Sequence, residues 1–303
     1  MSETPVTIPV CYRHPTRETY IRCTRCERPI CPDCMNEASV GHQCPECVAE
    51  GRRTTRPALT AFGGTGVGRA GYVTKVLIAV NVLVMVLSVA TGGVNSLAGG
   101  GLGGLLGSST PLTDWGSVLG YATYGPLGEQ ALHGIAAGEW YRLVTAMFLH
   151  YGILHLALNM YALWIMGRNL EAALGPLRFA GLYLLAGLGG NVAAYLLTAQ
   201  NVASAGASTA VFGLFAAIFV ILRRLGQSTA QILPIIIINI VFTLTVPSIS
   251  VAGHLGGLVT GGVVAVALAY APRAHRNLVQ AAGCAAVFLI LMVFAVVRTV
   301  ALV

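Results

Sequence analysis

Charge is what this chain has least of. Only 10% of its 303 residues are Asp, Glu, Lys or Arg, against roughly 25% in soluble domains. Meanwhile 55% are hydrophobic and the mean hydropathy is +0.74. That balance excludes an ordinary soluble enzyme. The deficit is uneven, and with the length it suggests two domains. Of 18 basic and 11 acidic residues, 15 lie within residues 1–56, together with seven of the eight cysteines. Other absences narrow the reading. The N-terminus is polar and Cys-rich, so no cleavable signal peptide is expected. No organellar transit peptide is visible, which fits a single-membrane prokaryote. No HExxH occurs, which argues against a zinc-dependent protease. No acidic residue lies in the last five apolar runs, so a proton or metal transporter would lack acidic partners at mid-membrane.

Seven apolar runs approach the roughly 20 residues that a span needs. They are Val73–Ala90, Leu143–Met166, Leu177–Leu197, Thr209–Leu222, Ile232–Val246, Val251–Tyr270 and Leu278–Val297. The fourth and fifth are short, but the Arg223-Arg224 pair between them marks an interface, so two spans fit better than one. Lys and Arg favour the cytoplasmic side. With the N-terminus inside, inner segments hold Arg52, Arg53, Arg56, Arg69, Lys75, Arg168, Arg178, Arg223, Arg224, Arg273 and Arg276, and outer segments hold only Arg142 and Arg298. The expectation is a multi-pass plasma-membrane protein with a cytoplasmic N-terminus and an external C-terminus. Its net charge of +7 then reflects topology and attraction to anionic lipid, and no nucleic acid is expected as a partner.

The same ordinal counting brings five polar residues to one depth near the outer face. Ser208 starts the fourth run, His254 lies about one turn into the sixth, and His150, His155 and Asn159 lie in the outer half of the second. A lone Ser in a membrane helix is commonly packing glue, but an intramembrane His is costly and points to function. A serine hydroxyl is a weak nucleophile until a base takes its proton, and His254 can be that base. The free N–H groups and dipole at a helix N-terminus would favour an oxyanion beside Ser208. His155 and Asn159, four apart, share a helix face and can add donors; His150 faces elsewhere. With no embedded acid, a Ser–His dyad is expected rather than a triad. Gly257 and Gly261, extended by Gly253, form a small-residue row, and Gly206 and Gly213 flank the serine, so the helices can approach closely. Phe212, one turn after Ser208, can pack on the His254 ring or be an ordinary lipid- or core-facing Phe; spacing alone favours neither.

Four ordered motifs resemble those of the rhomboid intramembrane serine proteases. They are Gly206-Ala207-Ser208 with Phe212-Gly213, His254-xx-Gly257-xxx-Gly261, His150-xxxx-His155-xxx-Asn159, and Glu139-Trp140-Tyr141-Arg142. The resemblance covers about residues 72–300. It implies an all-α polytopic fold with a six-helix bundle, here followed by an extra C-terminal transmembrane helix. It makes Ser208 the nucleophile, His254 the base, and His155 with Asn159 the oxyanion stabilisers, with His150 structural or an additional oxyanion-region residue. It implies cleavage of transmembrane segments of other membrane proteins near the outer face, without a catalytic cofactor. The fifth run and the loop Leu244–Ser250, punctuated by Pro234 and Pro247, would be the lateral gate. The Gly-rich run Gly92–Gly107 is expected at the interface. One departure is Thr209, where glycine is usual; its branched side chain is expected to narrow the space by the nucleophile. The alternative is a catalytically silent relative that binds or escorts membrane proteins, against which the intact Ser208 and His254 argue.

Residues 1–50 read as a separate module, joined by a flexible basic linker, 51–71, to the membrane domain. Cys11-xx-His14, Cys23-xx-Cys26, Cys31-xx-Cys34 and Cys44-xx-Cys47 supply eight ligands, the number two tetrahedral zinc ions need. Disulfides compete as a reading, but the expected topology places the module in a reducing cytosol, which favours zinc. The short spacings suggest cross-bracing, the first and third pairs on one ion, the second and fourth on the other. The pattern resembles a small B-box-type zinc finger. His42 is a spare ligand that could replace Cys44, and Cys284 is an apolar filler. The closed ligand sets make both zinc ions structural. The module would bind a cytosolic partner or regulate the membrane domain.

Overall fold

A computed structural model describes residues 8–55, 58–65, 71–98, 107–124, 131–246 and 249–303. Pro247, Arg56, Arg69 and half of the Gly-rich run, 99–106, lie outside the described residues. The chain separates into two compact units, Met1–Ala58 and Leu59–Val303.

In the first unit a two-stranded hairpin, β1 (Asn36–Glu37) and β2 (His42–Gln43), precedes α1 (Pro45–Thr54). The Cys44 Sγ caps α1 by accepting the Cys47 N–H at 3.3 Å. Residues 51–54, expected to begin the linker, belong to this helix. The buried apolar cluster here consists of Ile30 and six cysteines. So few aliphatic side chains cannot hold a unit of this size without staples.

The second unit is built from helices. In chain order they are α2 (Tyr72–Gly92), α3 (Pro111–Gly116), α4 (Arg142–Thr145), α5 (Ile153–Leu174), α6 (Pro176–Leu197), α7 (Ser208–Arg224), α8 (Ile232–Thr245), α9 (Val251–Ala269) and α10 (Arg276–Leu302). A small hairpin, β3 (Ala122–Tyr124) with β4 (Ala131–His133), decorates the loop after α3. Among the described residues, four helices are individually long and apolar enough to cross a membrane, and the protein is a multi-pass membrane protein. Helices α7 and α8, with 17 and 14 residues, are shorter, as the fourth and fifth runs suggested. Of the four, the α6 segment is the most buried, at 61%, and the segment ending in α10 the least, at 6%, so α6 forms the centre and α10 the periphery.

The second apolar run is not one helix. Residues Arg142–Phe148 form a short segment, the chain bends by 90°, and α5 begins only at Ile153. Hydropathy reports apolar content but not direction. Here Gly152, at φ 93°, takes a backbone conformation that side chains disfavour.

Two buried charges organise the frame. The Glu171 carboxylate, on α5, accepts the N–H groups of Val73 and Thr74 and the Thr74 hydroxyl at 2.8–3.0 Å. It thereby satisfies the open N-terminus of α2. Arg142, only 1% exposed, donates to Glu139 at 2.7 Å and to the carbonyls of Asp114 and Ser117 at 2.7 and 3.1 Å. It ties the end of α3 and the residue after it to the start of α4. Burial works against the Glu139 carboxylate. Its hydrogen bonds from His133, Arg142 and the Gly134 N–H nevertheless hold it below the usual range.

Candidate active site

Alternating helix directions put the starts of α5, α7 and α9 and the ends of α6 and α8 at one end of the bundle. Ser208 is the first residue of α7, and His254 lies one turn into α9, whose N-cap Ser250 accepts the Gly253 N–H at 3.1 Å. The Ser208 Oγ stands 2.7 Å from His254 Nε2. Phe212, a turn further along α7, stacks on the imidazole with ring centroids 4.1 Å apart and planes inclined by 23°. On the far side of the ring edge, Nδ1 lies 2.8 Å from the Thr243 hydroxyl of α8.

The close approach of α7 and α9 depends on glycine. A Cβ at Gly257 would sit 2.0 Å from the Thr209 carbonyl, and one at Gly261 would sit 2.3 Å from the Gly213 Cα. No side chain fits either gap. At both glycines the His-bearing helix lies directly against the Ser-bearing one.

A cavity of about 250 Å³ opens beside this pair, its wall including His155, Asn159, Ser208, Phe212, Thr243 and His254. His155 Nδ1 accepts the Tyr151 N–H at 3.4 Å. A neutral ring that accepts at Nδ1 carries its proton on Nε2. A Cβ built on Gly206 would lie 2.8–2.9 Å from His155 Cε1 and Nε2 and 3.2 Å from Ser208 Oγ. The bare Gly206, at φ 146°, thus leaves a pocket between the hydroxyl and an N–H donor. Asn159 spends one amide hydrogen on the His155 carbonyl at 2.9 Å and keeps the other. His150 is placed differently. Its buried ring meets His155 edge-on, and its Nε2 accepts the Ala207 N–H at 3.4 Å, which braces the turn before the serine. A wider groove between α6, α9 and α10, about 1120 Å³, is lined by neither Ser208 nor His254.

Residues 137–271 match the Rhomboid domain family. The chain is similar to the putative rhomboid protease YdcA of Bacillus subtilis (strain 168), 34% identical over 133 residues, which cover 42% of this chain and 67% of that protein. The chain belongs to the rhomboid family. It is also 42% identical over 142 residues to the rhomboid protease GluP of the same organism, covering 44% of this chain but only 27% of GluP. With the RHOMBOID-like protein 5 of Arabidopsis thaliana it shares 31% identity over 179 residues, 52% of this chain and 58% of that protein. The rhomboid match encloses His150, His155, Asn159, Ser208 and His254, whereas α2, α10 and the cysteine module lie outside it.

In this rhomboid chain, the side chain of Thr209 faces glycines. Its Cβ approaches Gly190 of α6, and its Cγ2 approaches Gly253 of α9. Its departure from glycine is accommodated by that notch, although it also lines the cavity. Thr243 was not singled out from the sequence. The available signal was Asn239 and Thr243, four apart, in a mostly apolar stretch of α8.

The cysteine module presents two buried or half-buried groups, Cys11, His14, Cys31 and Cys34, and Cys23, Cys26, Cys44 and Cys47. Within each group the ligand atoms lie within 4.8 Å of one another, and each group could hold a metal ion. The pairing is crossed, first with third and second with fourth. Cys44 completes the second group, and His42 stays outside it, its carbonyl accepting from Thr24. Burial raises the thiols of Cys11 and Cys23, but backbone N–H groups outweigh it and bring both down to about 6. Cys34 and Cys47, pushed up by burial and by their neighbouring thiols, reach about 11 and about 12. Four sulfur or nitrogen donors in a closed group suit a tetrahedral structural ion.

Proposed function

We propose that this chain is a membrane-embedded serine endopeptidase that cleaves transmembrane segments of other membrane proteins with a Ser208–His254 dyad. The observation that carries the reading is the 2.7 Å contact between Ser208 Oγ and His254 Nε2 on the wall of a cavity among apolar helices. The Ser208 oxygen attacks the scissile carbonyl carbon as its proton passes to His254 Nε2. The oxyanion forms in the space left by Gly206, where the His155 N–H, the Asn159 amide and the first backbone N–H groups of α7 can donate. His254 then gives the proton to the departing amine, and water hydrolyses the acyl-enzyme by the reverse use of the same base. In this reading His150 braces the nucleophile turn.

The module is proposed to hold two structural zinc ions, which the closed sulfur-rich donor sets favour. The orientation is proposed with the N-terminus cytoplasmic and the site near the external face of the plasma membrane. Arg142 supports it, because this arginine of the outer segments is buried and committed to a loop, which leaves Arg298 as the counter-example to the basic bias.

The test is cleavage of a single-span substrate in liposomes, with labelling by a fluorophosphonate probe. Both are expected in the native chain and absent in Ser208→Ala. A folded native chain that neither labels nor cuts several substrates would sink the proposal in favour of a silent binding role.

A further inference from the structure

Helix α8 is mostly exposed aliphatic surface, and only two of its residues are buried, Ile232 and Thr243. Thr243 is polar, 1% exposed, and placed on the catalytic imidazole. Its Oγ1 lies 2.8 Å from the Asn239 carbonyl one turn earlier and 2.8 Å from His254 Nδ1. The hydroxyl has one proton and two contacts. A carbonyl can only accept, so a proton turned toward His254 would leave two oxygens facing each other at 2.8 Å. The arrangement that satisfies every group runs in one direction: His254 Nδ1–H donates to Thr243 Oγ1, and Thr243 O–H donates to Asn239 C=O. A neutral imidazole protonated on Nδ1 has its lone pair on Nε2, the atom that faces Ser208.

We infer that Thr243 is a positioning residue that fixes His254 in the base-competent tautomer from α8, through the chain His254–Thr243–Asn239. The inference rests on the dyad reading above and supplies what a site without an acid otherwise lacks, a third group orienting the base. When the imidazole takes the Ser208 proton, the Nδ1–H bond to Thr243 persists. The positive ring is then met by a hydroxyl dipole already aligned by the Asn239 carbonyl. The relay begins on α8, so movement of α8 away from α9 breaks it, and the base is correctly poised only while α8 is seated.

The tautomer can be read in the full-length native protein, without substrate, from the long-range nitrogen–proton spectrum of imidazole-labelled histidines, with His254 assigned by its loss in His254→Ala. Nδ1–H is expected in the native chain and in Thr243→Ser, and a shift toward Nε2–H in Thr243→Val. In a cleavage assay Thr243→Val is expected to lose about 10²-fold in kcat with KM nearly unchanged, and Thr243→Ser to recover most of it. A native spectrum dominated by Nε2–H overturns the inference whatever the variants do. A folded Thr243→Val with native kcat and native tautomer also overturns it. Loss of probe labelling at Ser208 in the native chain would instead overturn the dyad reading, and the spectrum would still report on Thr243.

Discussion

At the scale of single residues, the site depends on where side chains are missing as much as on where they are present. Gly206 is the sharpest case, because a Cβ there would occupy the space between His155 and Ser208. Gly206→Ala is therefore expected to lower kcat by about 10²–10³-fold, the usual cost of losing an oxyanion donor, while probe-free stability changes little beyond the strain of its positive φ. Steady-state kinetics alongside a thermal melt separate the two. His150 makes the opposite prediction. Its contact is with the Ala207 backbone, so His150→Ala should lower melting temperature together with activity, whereas Asn159→Ala should spare the melt. The chemistry proposed for these residues was suggested by spacing, a serine, a histidine and two donors at matching depth. Their division of labour was not. His150 and His155 are five apart in sequence, and only the bend at Gly152 turns one behind the wall and the other into it.

At the scale of elements, two devices hold the helices in register. One is the bare glycine contact between α7 and α9, where backbone atoms nearly touch. Gly261→Val forces the helices apart, with an overpacking cost of about 1–3 kcal/mol. It also stretches the Ser208–His254 hydrogen bond, so melting temperature and probe-labelling rate should fall together. The other is the Glu171 carboxylate at the start of α2. Replacing it with Gln removes its charge and leaves a buried donor less well met, which should cost about 1–3 kcal/mol, measured by thermal unfolding in detergent, with the labelling rate of the folded fraction preserved. Apolar length located six of the seven long helices closely. It misplaced α5 by ten residues because a run of apolar residues continues through a sharp bend without any change of composition.

At the scale of the whole molecule, the two compact units rest on different physics. The membrane unit is held by helix packing around α6; the N-terminal unit has Ile30 and its cysteines for a core, and metal held by its two ligand groups, as proposed, would supply its folding energy. Two equivalents of zinc per chain are expected by elemental analysis, and a strong chelator should expose residues 8–55 to proteolysis. Binding displaces protons from thiols. Because Cys34 and Cys47 stand at about 11 and about 12, they are protonated at neutral pH, and zinc addition to the stripped protein should release protons, seen with an indicator dye. Acidification through about 6, where Cys11 and Cys23 also take up protons, should weaken zinc retention further. A module that keeps its protection after complete metal removal would contradict this account.

The sequence by itself determined the membrane character, the placement of most of the apolar helices and the two crossed sets of candidate metal ligands, and it pointed to the serine and histidine of the proposed dyad. Each of these follows from residue type and local spacing, which a linear chain carries intact. The tertiary structure decided what depends on direction across space. It turned the chain at Gly152, set Glu171 under α2, emptied the pocket at Gly206 and swung Thr243 of α8 onto the imidazole of α9. Those contacts join residues whose meeting is set by helix packing, and nothing in the local pattern of either partner announces the other.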